Sequence, residues 1–333
     1  MSDKSPLAVL GAGSWGTALA CLLARKGYPV RLWGRNKAHM ENLSRERENR
    51  RYLPGIPFPP ALIPTATLEE ALATRRVFLM VPSQAFRPMI ETIRPLVKPG
   101  SCLLWGTKGL EPGTGKLLYQ VARETLGEMP MAILSGPTFA REVAMGLPTA
   151  VTLASREADL AAWAAETLHN ERFRVYTSRD VIGVSLGGAV KNVLAIAAGI
   201  ADGLGFGANT RAALITRGLA EMMRLGERMG GQKETFMGLA GLGDLVLTAT
   251  EDLSRNRRLG LLLAEGMALP KARAAIGQAV EGVGTAREIM GLAQLHDVEM
   301  PISEQVYQVL YEGKSPQQAV DDLLHRAQKE EQV

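Results

Sequence analysis

The sequence predicts an α/β protein in which a doubly wound, mostly parallel sheet comes first and an all-α half follows. Up to about residue 180, short apolar runs alternate with helix-like stretches, which is typical of a parallel sheet covered by helices on both faces. Beyond that point only helical patterns remain. The chain has 333 residues, which is enough for two domains. Apolar residues make up 46% of the chain and charged residues 22%, and this composition excludes a disordered chain. We predict domains at 1–185 and 186–333.

The elements of the first half follow from the apolar runs. They predict strands at Leu7–Leu10, Val30–Trp33, Val77–Val81, Ser101–Trp105, Ala132–Leu134, Ala150–Leu153 and Arg174–Tyr176. Helical spacing predicts helices at Ser14–Arg25, Gln84–Ile93 and Lys116–Leu126. The segment Pro54–Pro60 is predicted to be a loop, because proline lacks the N–H that a strand ladder needs.

In the second half no strand pattern remains, and the residues there predict helices at 181–201, 210–229, 255–265, 283–295, 301–312 and 315–327. Pro301 and Pro316 fit the first turns of the last two. The segment 181–201 is about long enough to span a membrane. It is rich in Gly and Ala and has Lys191 near its centre, so we predict a buried helix and no stable membrane insertion.

Composition excludes several classes of function. Lys plus Arg number 38 and Asp plus Glu 34, and a net charge of +4 does not indicate a nucleic-acid partner. The two cysteines and four histidines are scattered, so we expect no metal site and no disulfide framework. The first residues contain no apolar targeting core, which favours a cytoplasmic protein. The helical half has enough apolar surface to accommodate a homodimer.

A glycine-rich turn follows the first predicted strand and opens the first helix. Gly11, Gly13 and Gly16 form G-x-G-x-x-G in the context that a Rossmann domain requires. Gly11 permits the tight turn, Gly13 lets a pyrophosphate approach the backbone, and Gly16 packs the helix on the strand. The turn therefore predicts dinucleotide binding. An incidental glycine-rich turn is the alternative.

The second strand is followed by Arg35, where NAD enzymes usually have an acidic residue that binds the ribose 2′-hydroxyl. A cation there accommodates a 2′-phosphate. We therefore expect NADPH to be preferred and NADH to be accepted. A solvated surface arginine is the alternative.

Polar residues follow two further strands of the first half. Lys108 comes just after the run 101–105, and Gly136 and Thr138 come after the run 132–134. Open α/β sheets bind ligands at the carboxyl ends of their strands, so these residues are candidates for a binding site. For Lys108, an ordinary surface lysine is the alternative.

Lys191 is the only formal charge between Asp180 and Asp202. An ammonium inside an apolar helix requires a partner or a function, and a desolvated lysine exchanges protons near neutral pH. We predict that Lys191 is a general acid and base, with Asn192 as an adjacent hydrogen-bonding group. A lysine that extends to water is the alternative.

Two polar segments stand out in the rest of the helical half, Gly241–Asp244 and Ser254–Arg258. A guanidinium beside an amide and a hydroxyl suits a phosphate, although an ordinary basic helix start fits the second segment equally well.

These segments together resemble the bacterial NAD(P)-dependent glycerol-3-phosphate dehydrogenase family over nearly the whole chain. The stretch 188–199, GAVKNVLAIAAG, is similar to the family signature. GAGSWGTALA, WGTKGLE, LSGPTFAREV, AGLGDLVLT and SRNRRLG support it in the expected order. The resemblance implies reduction of dihydroxyacetone phosphate to sn-glycerol 3-phosphate, which supplies the glycerol backbone of phospholipids.

The resemblance also implies a role for individual residues. It makes Lys191 catalytic, with Lys108 beside it. Cofactor contacts fall on Gly11, Gly13, Ser14, Trp15, Gly16, Arg35, Lys108, Ala140, Arg255, Ala279 and Glu281. Substrate contacts fall on Lys108, Gly136, Thr138, Lys191, Asn192, Asp244, Thr248, Ser254, Arg255 and Asn256. Ala279 departs from the pattern, since a larger aliphatic residue is expected there.

Two other functions remain open from the residues. A two-domain dehydrogenase of the same layout could act on a β-hydroxyacid or sugar acid, whose carboxylate would replace the phosphate. A nucleotide-sensing protein could use the fold without catalysis, and its mark would be the loss of Lys108 or Lys191, both of which are present.

Overall fold

The computed structural model describes residues 4–327, which divide into two compact units. The first contains the chain up to Thr107 together with Tyr119–Val181. The second contains Lys108–Leu118 and the chain from Ile182 onward. The predicted domains, 1–185 and 186–333, assigned residues 108–118 to the first domain, whereas the structure places them in the second unit. The reason is packing, since Leu110 and Leu117 are buried in the apolar core of the helical unit.

The first unit contains every strand of the described chain. The strands are Leu7–Leu10 (β1), Val30–Trp33 (β2), Glu48–Asn49 (β3), Leu53–Pro57 (β4), Leu62–Thr65 (β5), Arg76–Leu79 (β6), Cys102–Trp105 (β7), Met131–Ser135 (β8), Thr149–Ser155 (β9) and Phe173–Ser178 (β10). Eight of them form one sheet in the order β10-β9-β8-β7-β6-β1-β2-β5, parallel except for the β8–β9 pair. The predicted doubly wound, mostly parallel sheet is confirmed.

The glycine turn lies at the point of the sheet where the strand order reverses. β1 pairs with β2 on one side and with β6 on the other, so the chain winds outward from β1 both ways. Ligands of open α/β sheets bind in the crevice beyond the carboxyl ends of strands at such a point. Gly11 is the first residue after β1.

The prediction that Pro54–Pro60 is a loop was wrong for its first part. Leu53–Pro57 forms a short antiparallel ribbon with Glu48–Asn49, outside the main sheet. Prolines are tolerated at edges, where no second neighbour needs their N–H. The unpredicted strand Leu62–Thr65 contains Pro64 for the same reason, since it is the outermost strand beside β2.

Helices cover the sheet and continue into the second unit. Those of the first half are Ser14–Arg25 (α1), Lys37–Glu46 (α2), Leu68–Ala71 (α3), Phe86–Ile93 (α4), Leu118–Leu126 (α5), Ala140–Met145 (α6) and Ala158–Leu168 (α7). Those that follow are Val181–Gly203 (α8), Ala208–Arg228 (α9), Lys233–Met237 (α10), Asp244–Thr250 (α11), Arg255–Ala264 (α12), Leu269–Ile276 (α13), Glu281–Leu295 (α14), Pro301–Tyr311 (α15) and Pro316–Leu324 (α16). The predicted all-α second half is confirmed.

Most residues of helix α8 are buried. By length and composition it could cross a membrane, but 89% of its most apolar window of 18 residues is buried inside the protein. Close glycine contacts pack it against α12, because a Cβ on Gly199 would lie 2.0 Å from the carbonyl oxygen of Arg257. The prediction of a buried core helix is confirmed.

Candidate active site

The three motif glycines have three different environments in the first unit. Gly11 has φ +121°, and a Cβ there would lie 2.3 Å from the carbonyl oxygen of Met80. A Cβ on Gly16 would lie 1.8 Å from the carbonyl oxygen of Gly11. A Cβ on Gly13 would meet no atom of the described residues within 4 Å. Gly11 and Gly16 are therefore required by the fold itself, whereas Gly13 faces open space into which a ligand could come close.

The N-terminus of α1 is prepared for an anion. Its N-cap is Gly13, no side chain of residues 4–327 caps the first turn, and that turn contains no acidic residue. The first N–H groups of a helix have no partner within the helix, and they carry partial positive charge. A dinucleotide pyrophosphate fits this end both in space and in charge.

Neighbouring residues extend this surface. The Ser14 hydroxyl donates to the carbonyl oxygen of Tyr52 at 2.7 Å. The Trp15 indole lies over Gly106, where a Cβ would be 2.5 Å from its Nε1. Arg35 is exposed, and its side chain makes no hydrogen bond or ion pair within residues 4–327. It is thus available to a negatively charged group.

The segment after β8 has a constrained backbone. Gly136 has φ +135°, and a Cβ there would lie 3.2 Å from the Cα of Val151. The Thr138 hydroxyl donates to the carbonyl oxygen of Gly136 at 3.1 Å. Ala140 begins α6 and packs on the core of the first unit. The turn leads from the carboxyl end of a strand into a helix, as at the glycine turn.

Four side chains of the second unit form what we call the lysine–aspartate cluster: Lys108, Lys191, Asp244 and Thr248. Lys108 Nζ donates to Asp244 Oδ2 at 2.6 Å, and Lys191 Nζ donates to Asp244 Oδ1 at 2.9 Å. Lys191 also donates to the Thr248 hydroxyl at 2.7 Å. One carboxylate therefore joins the two lysines that the sequence predicted to be functional.

The cluster is electrostatically unusual because it is buried. Lys191 is 6% exposed and Asp244 is 1% exposed. Burial lowers the pKa of Lys191 from 10.5 to about 8, against the opposing effect of Asp244, and the charges of Lys108 and Arg255 lower it further. Burial alone would raise the pKa of Asp244, but the charges and hydrogen bonds of the two lysines hold it below its usual range. Lys191 is thus an ammonium at neutral pH that can lose its proton slightly above it.

Asn192 and Asn256 connect the cluster to α12 and α14. Asn192 Nδ2 donates to the carbonyl oxygens of Lys108 at 3.3 Å and Gly188 at 3.2 Å. Its Oδ1 accepts from Asn256 Nδ2 at 2.8 Å, and Asn256 Oδ1 accepts the Gly282 N–H at 3.0 Å. The nitrogen and the oxygen of both side-chain amides have a partner in this chain of bonds, which fixes the rotamers of both asparagines.

The start of α12 is the third polar region of the second unit. The Ser254 hydroxyl caps the helix by accepting the Arg257 N–H at 3.2 Å. Arg255 is exposed and lies within electrostatic range of Glu281, the first residue of α14. Ala279 is half-buried in the preceding loop. By contrast, Arg257 is buried and donates to Asp202 through Nη2 at 2.7 Å, so its role is structural.

Glycines explain how the chain brings Asp244 to Lys191. A Cβ on Gly187 would lie 2.6 Å from the carbonyl oxygen of Ala240, and one on Gly241 would lie 2.1 Å from that of Phe236. The segment Leu239–Gly243 is a π-helical turn that leads into α11. Gly187 therefore allows close backbone packing between α8 and this turn.

The structure brings together Lys108, Lys191, Asn192, Asp244, Thr248 and Asn256 within the second unit. Gly136 and Thr138 belong to the first unit. Sequence reasoning placed Lys108 at the sheet edge but missed its partner. No local signal could have revealed it, since Lys108 and Asp244 are 136 positions apart.

Comparison with known proteins assigns the family. Residues 6–161 match the model of the NAD-dependent glycerol-3-phosphate dehydrogenase N-terminus, and residues 180–321 match that of its C-terminus. A glycerol-3-phosphate dehydrogenase [NAD(P)+] of Nitrosococcus oceani is 59% identical over 99% of this chain and 97% of its own length. One from Thioalkalivibrio sulfidiphilus is 59% identical over 99% of each chain.

A solved structure supports the assignment. The crystal structure of glycerol-3-phosphate dehydrogenase from Coxiella burnetii superimposes with a TM-score of 0.94 at 52% identity, covering 96% of this chain and 99% of that one. Both family models, the two relatives and this structure agree over almost the full length. The chain therefore belongs to the NAD-dependent glycerol-3-phosphate dehydrogenase family.

Proposed function

We propose that the lysine–aspartate cluster is the catalytic centre of this enzyme. The protein is an oxidoreductase that reduces dihydroxyacetone phosphate to sn-glycerol 3-phosphate with NAD(P)H, as its family membership and its relatives' names indicate. One observation carries the assignment of the site: a single buried carboxylate bridges Lys108 and Lys191. Two cations held this way form a centre that stabilises an anionic oxygen.

The roles of the residues follow from their positions. The reduced nicotinamide, when bound, supplies the hydride. Lys191 donates a proton to the ketone oxygen as negative charge develops there, and accepts it in the reverse direction. Lys108 adds a second positive charge near the same oxygen. Asp244 and Thr248 hold the Lys191 ammonium in place, so that little reorganisation is needed when the proton moves.

The substrate phosphate is assigned to the start of α12. Ser254, Arg255 and Asn256 offer a hydroxyl, an exposed guanidinium and an amide at a helix N-terminus, the kinds of groups that bind phosphate. Asn192 fixes the amide of Asn256 and the backbone of Lys108. Gly136 and Thr138 are further substrate contacts in this proposal, by their match to the family pattern.

The dinucleotide is assigned to the first unit. Gly11, Gly13 and Gly16 shape the turn, Ser14 and Trp15 flank it, and Arg35 is the candidate for a 2′-phosphate. NADPH is therefore the preferred cofactor in this proposal, with NADH accepted. The remaining cofactor contacts are taken from the family pattern and are Lys108, Ala140, Arg255, Ala279 and Glu281.

The product is the backbone of glycerophospholipids, and we place the enzyme in phospholipid biosynthesis in the cytoplasm. Cys21 and Cys102 are buried free thiols, a state that agrees with a reducing compartment.

The direct test mixes the purified protein with NADPH and dihydroxyacetone phosphate and follows the loss of reduced-nicotinamide absorbance. NADH is run in parallel, and β-hydroxyacids with NAD(P)+ form the comparison panel. We expect oxidation of NADPH by dihydroxyacetone phosphate, and faster than that of NADH. Turnover of a β-hydroxyacid without turnover of dihydroxyacetone phosphate would contradict the proposed substrate.

A further inference from the structure

The segment Arg47–Tyr52, which we call the arginine turn, is fastened to the glycine turn. Asn49 is fully buried, and its Nδ2 donates to the Ala12 carbonyl oxygen at 3.0 Å and to the Thr17 hydroxyl at 2.8 Å. Ser14 donates to the Tyr52 carbonyl oxygen at 2.7 Å. The arginine turn therefore has a fixed position beside the N-terminus of α1, where the pyrophosphate is expected.

The arginines of this region differ in their partners. The sequence of residues 45–51, RERENRR, mixes positive and negative charges and does not show which arginines are paired. Arg50 Nε lies 3.6 Å from a carboxylate oxygen of Glu48 and 3.7 Å from one of Glu46. Arg47 donates to the carbonyl oxygens of Leu62 and Pro59, each at 2.8 Å. Both are thus engaged with the protein itself.

Arg51 is the exception. It is exposed, and within residues 4–327 its guanidinium has neither an ion pair nor a hydrogen bond. Its Cζ lies over the Tyr52 ring, 5.1 Å from the ring centroid. A cation–π contact of this kind orients a guanidinium without neutralising its charge.

His39 completes this surface from α2. Its ring packs edge-on against Tyr52, with 5.5 Å between ring centroids. Its Nε2 is buried and has no hydrogen-bond partner among the described residues. Burial lowers the pKa of His39, and the nearby charge of Arg51 lowers it further.

We propose that Arg51 binds a phosphate of the dinucleotide, with Tyr52 and the Ser14 hydrogen bond holding the guanidinium beside the glycine turn. The proposal rests on the dinucleotide site proposed above. The helix N-terminus offers only partial charge to a phosphate, so a full cation beside it adds a charge-assisted, bidentate contact. In this proposal Arg51 supplements Arg35, the cation that follows β2.

The test compares Arg51→Ala with Arg50→Ala, a matched control that removes an adjacent exposed arginine already paired with glutamates. Dissociation constants for NADPH and NADH are measured by tryptophan fluorescence quenching, without substrate. We expect Arg51→Ala to weaken NADPH binding about tenfold or more, the size of a lost charge-assisted hydrogen bond. We expect Arg50→Ala to change it by less than about twofold.

The two cofactors identify the phosphate that Arg51 contacts. An equal loss for NADPH and NADH indicates the pyrophosphate, and a loss for NADPH alone indicates the 2′-phosphate. Equal affinities in wild type and Arg51→Ala, for both cofactors, overturn the proposal. Failure of the wild-type protein to bind either dinucleotide would instead refute the proposed cofactor site, and the role of Arg51 with it. Since Arg51 is exposed, circular dichroism should show the variant folded as the wild type.

Discussion

Two carboxylates are buried to the same extent in the helical unit, yet their environments differ. Asp244 and Glu221 are each 1% exposed. Asp244 accepts from two ammonium groups, whereas Glu221 accepts the N–H groups of Ile302 at 2.6 Å and Ser303 at 3.1 Å, at the start of α15. Burial raises the pKa of Glu221 to about 7 despite these neutral donors, while the lysines hold that of Asp244 low.

The difference teaches which partners keep a buried charge ionised. Peptide N–H groups and a helix N-terminus offset only part of the desolvation cost of a carboxylate. Full cations within hydrogen-bonding distance offset it completely. Asp244 therefore remains a permanent anion that orients two lysines, whereas Glu221 is a helix cap that titrates near neutral pH.

The largest expected effect is the loss of turnover on replacing Lys191, the only lysine on α8. Lys191→Ala should lower kcat for reduction by about 10²- to 10⁴-fold, the usual contribution of a general acid. NADPH binding should be unchanged, because Asp244 still has Lys108 as its partner. Single-turnover kinetics and fluorescence titration measure the two quantities. Glu221→Gln serves as the control and should retain wild-type kcat.

Removing the bridging carboxylate should affect stability as well as rate. Asp244→Asn leaves two ammonium groups around a neutral amide, and breaking a buried ion pair costs about 3–5 kcal/mol. The free energy of unfolding, measured in urea, should fall by about this amount. Because Asp244 raises the pKa of Lys191, that pKa should also fall further in the variant, which moves the high-pH limb of the rate profile to lower pH. A variant as stable as the wild type would contradict the bridging role.

Glu221 should make stability depend on pH in the opposite sense to an ordinary carboxylate. Its pKa in the folded protein is raised from 4.5 to about 7, so the native state retains a proton that the unfolded chain has lost. Stability should therefore fall as pH rises from about 4.5 to about 7, by about 3 kcal/mol, and then level off. The measurement is the difference in unfolding free energy between wild type and Glu221→Gln across this range. A difference that is constant with pH would show that Glu221 does not titrate there.

The smallest effect is the pH dependence of the reaction itself. Lys191 must be an ammonium to donate a proton, and its pKa is about 8. The value of kcat/KM for reduction should fall about tenfold per pH unit above about 8, while that for oxidation should rise through the same region. An initial-rate profile from pH 6 to 10 checks this. A reduction rate that stays flat to pH 10 would exclude Lys191 as the acid.

Local pattern was sufficient to predict the fold class and to single out Lys191 on α8 as a candidate active-site residue. Strand β1 is apolar throughout, as buried parallel strands are, and the G-x-G-x-x-G turn lies between this strand and one helix, so both signals are contained in a few neighbouring residues. Lys191 was identifiable because a lone charge in an apolar helix is costly and is kept only for a reason. Leu62–Thr65 was missed because edge position, which tolerates Pro64, is a property of the sheet.

By itself, then, the sequence determined a Rossmann sheet, a helical second half and the family, and it singled out two lysines as candidates for the active site. Only the tertiary structure decided that one aspartate bridges them, since the partners are 136 and 53 positions apart and no periodicity connects them. It also decided that Arg51 has no ion pair among residues 4–327 while Arg50 has one, although both occur in the same run of mixed charge. The physical reason is the same in both cases: the pKa of a group and its availability to a ligand depend on which charges surround it in space, and the chain order does not record this.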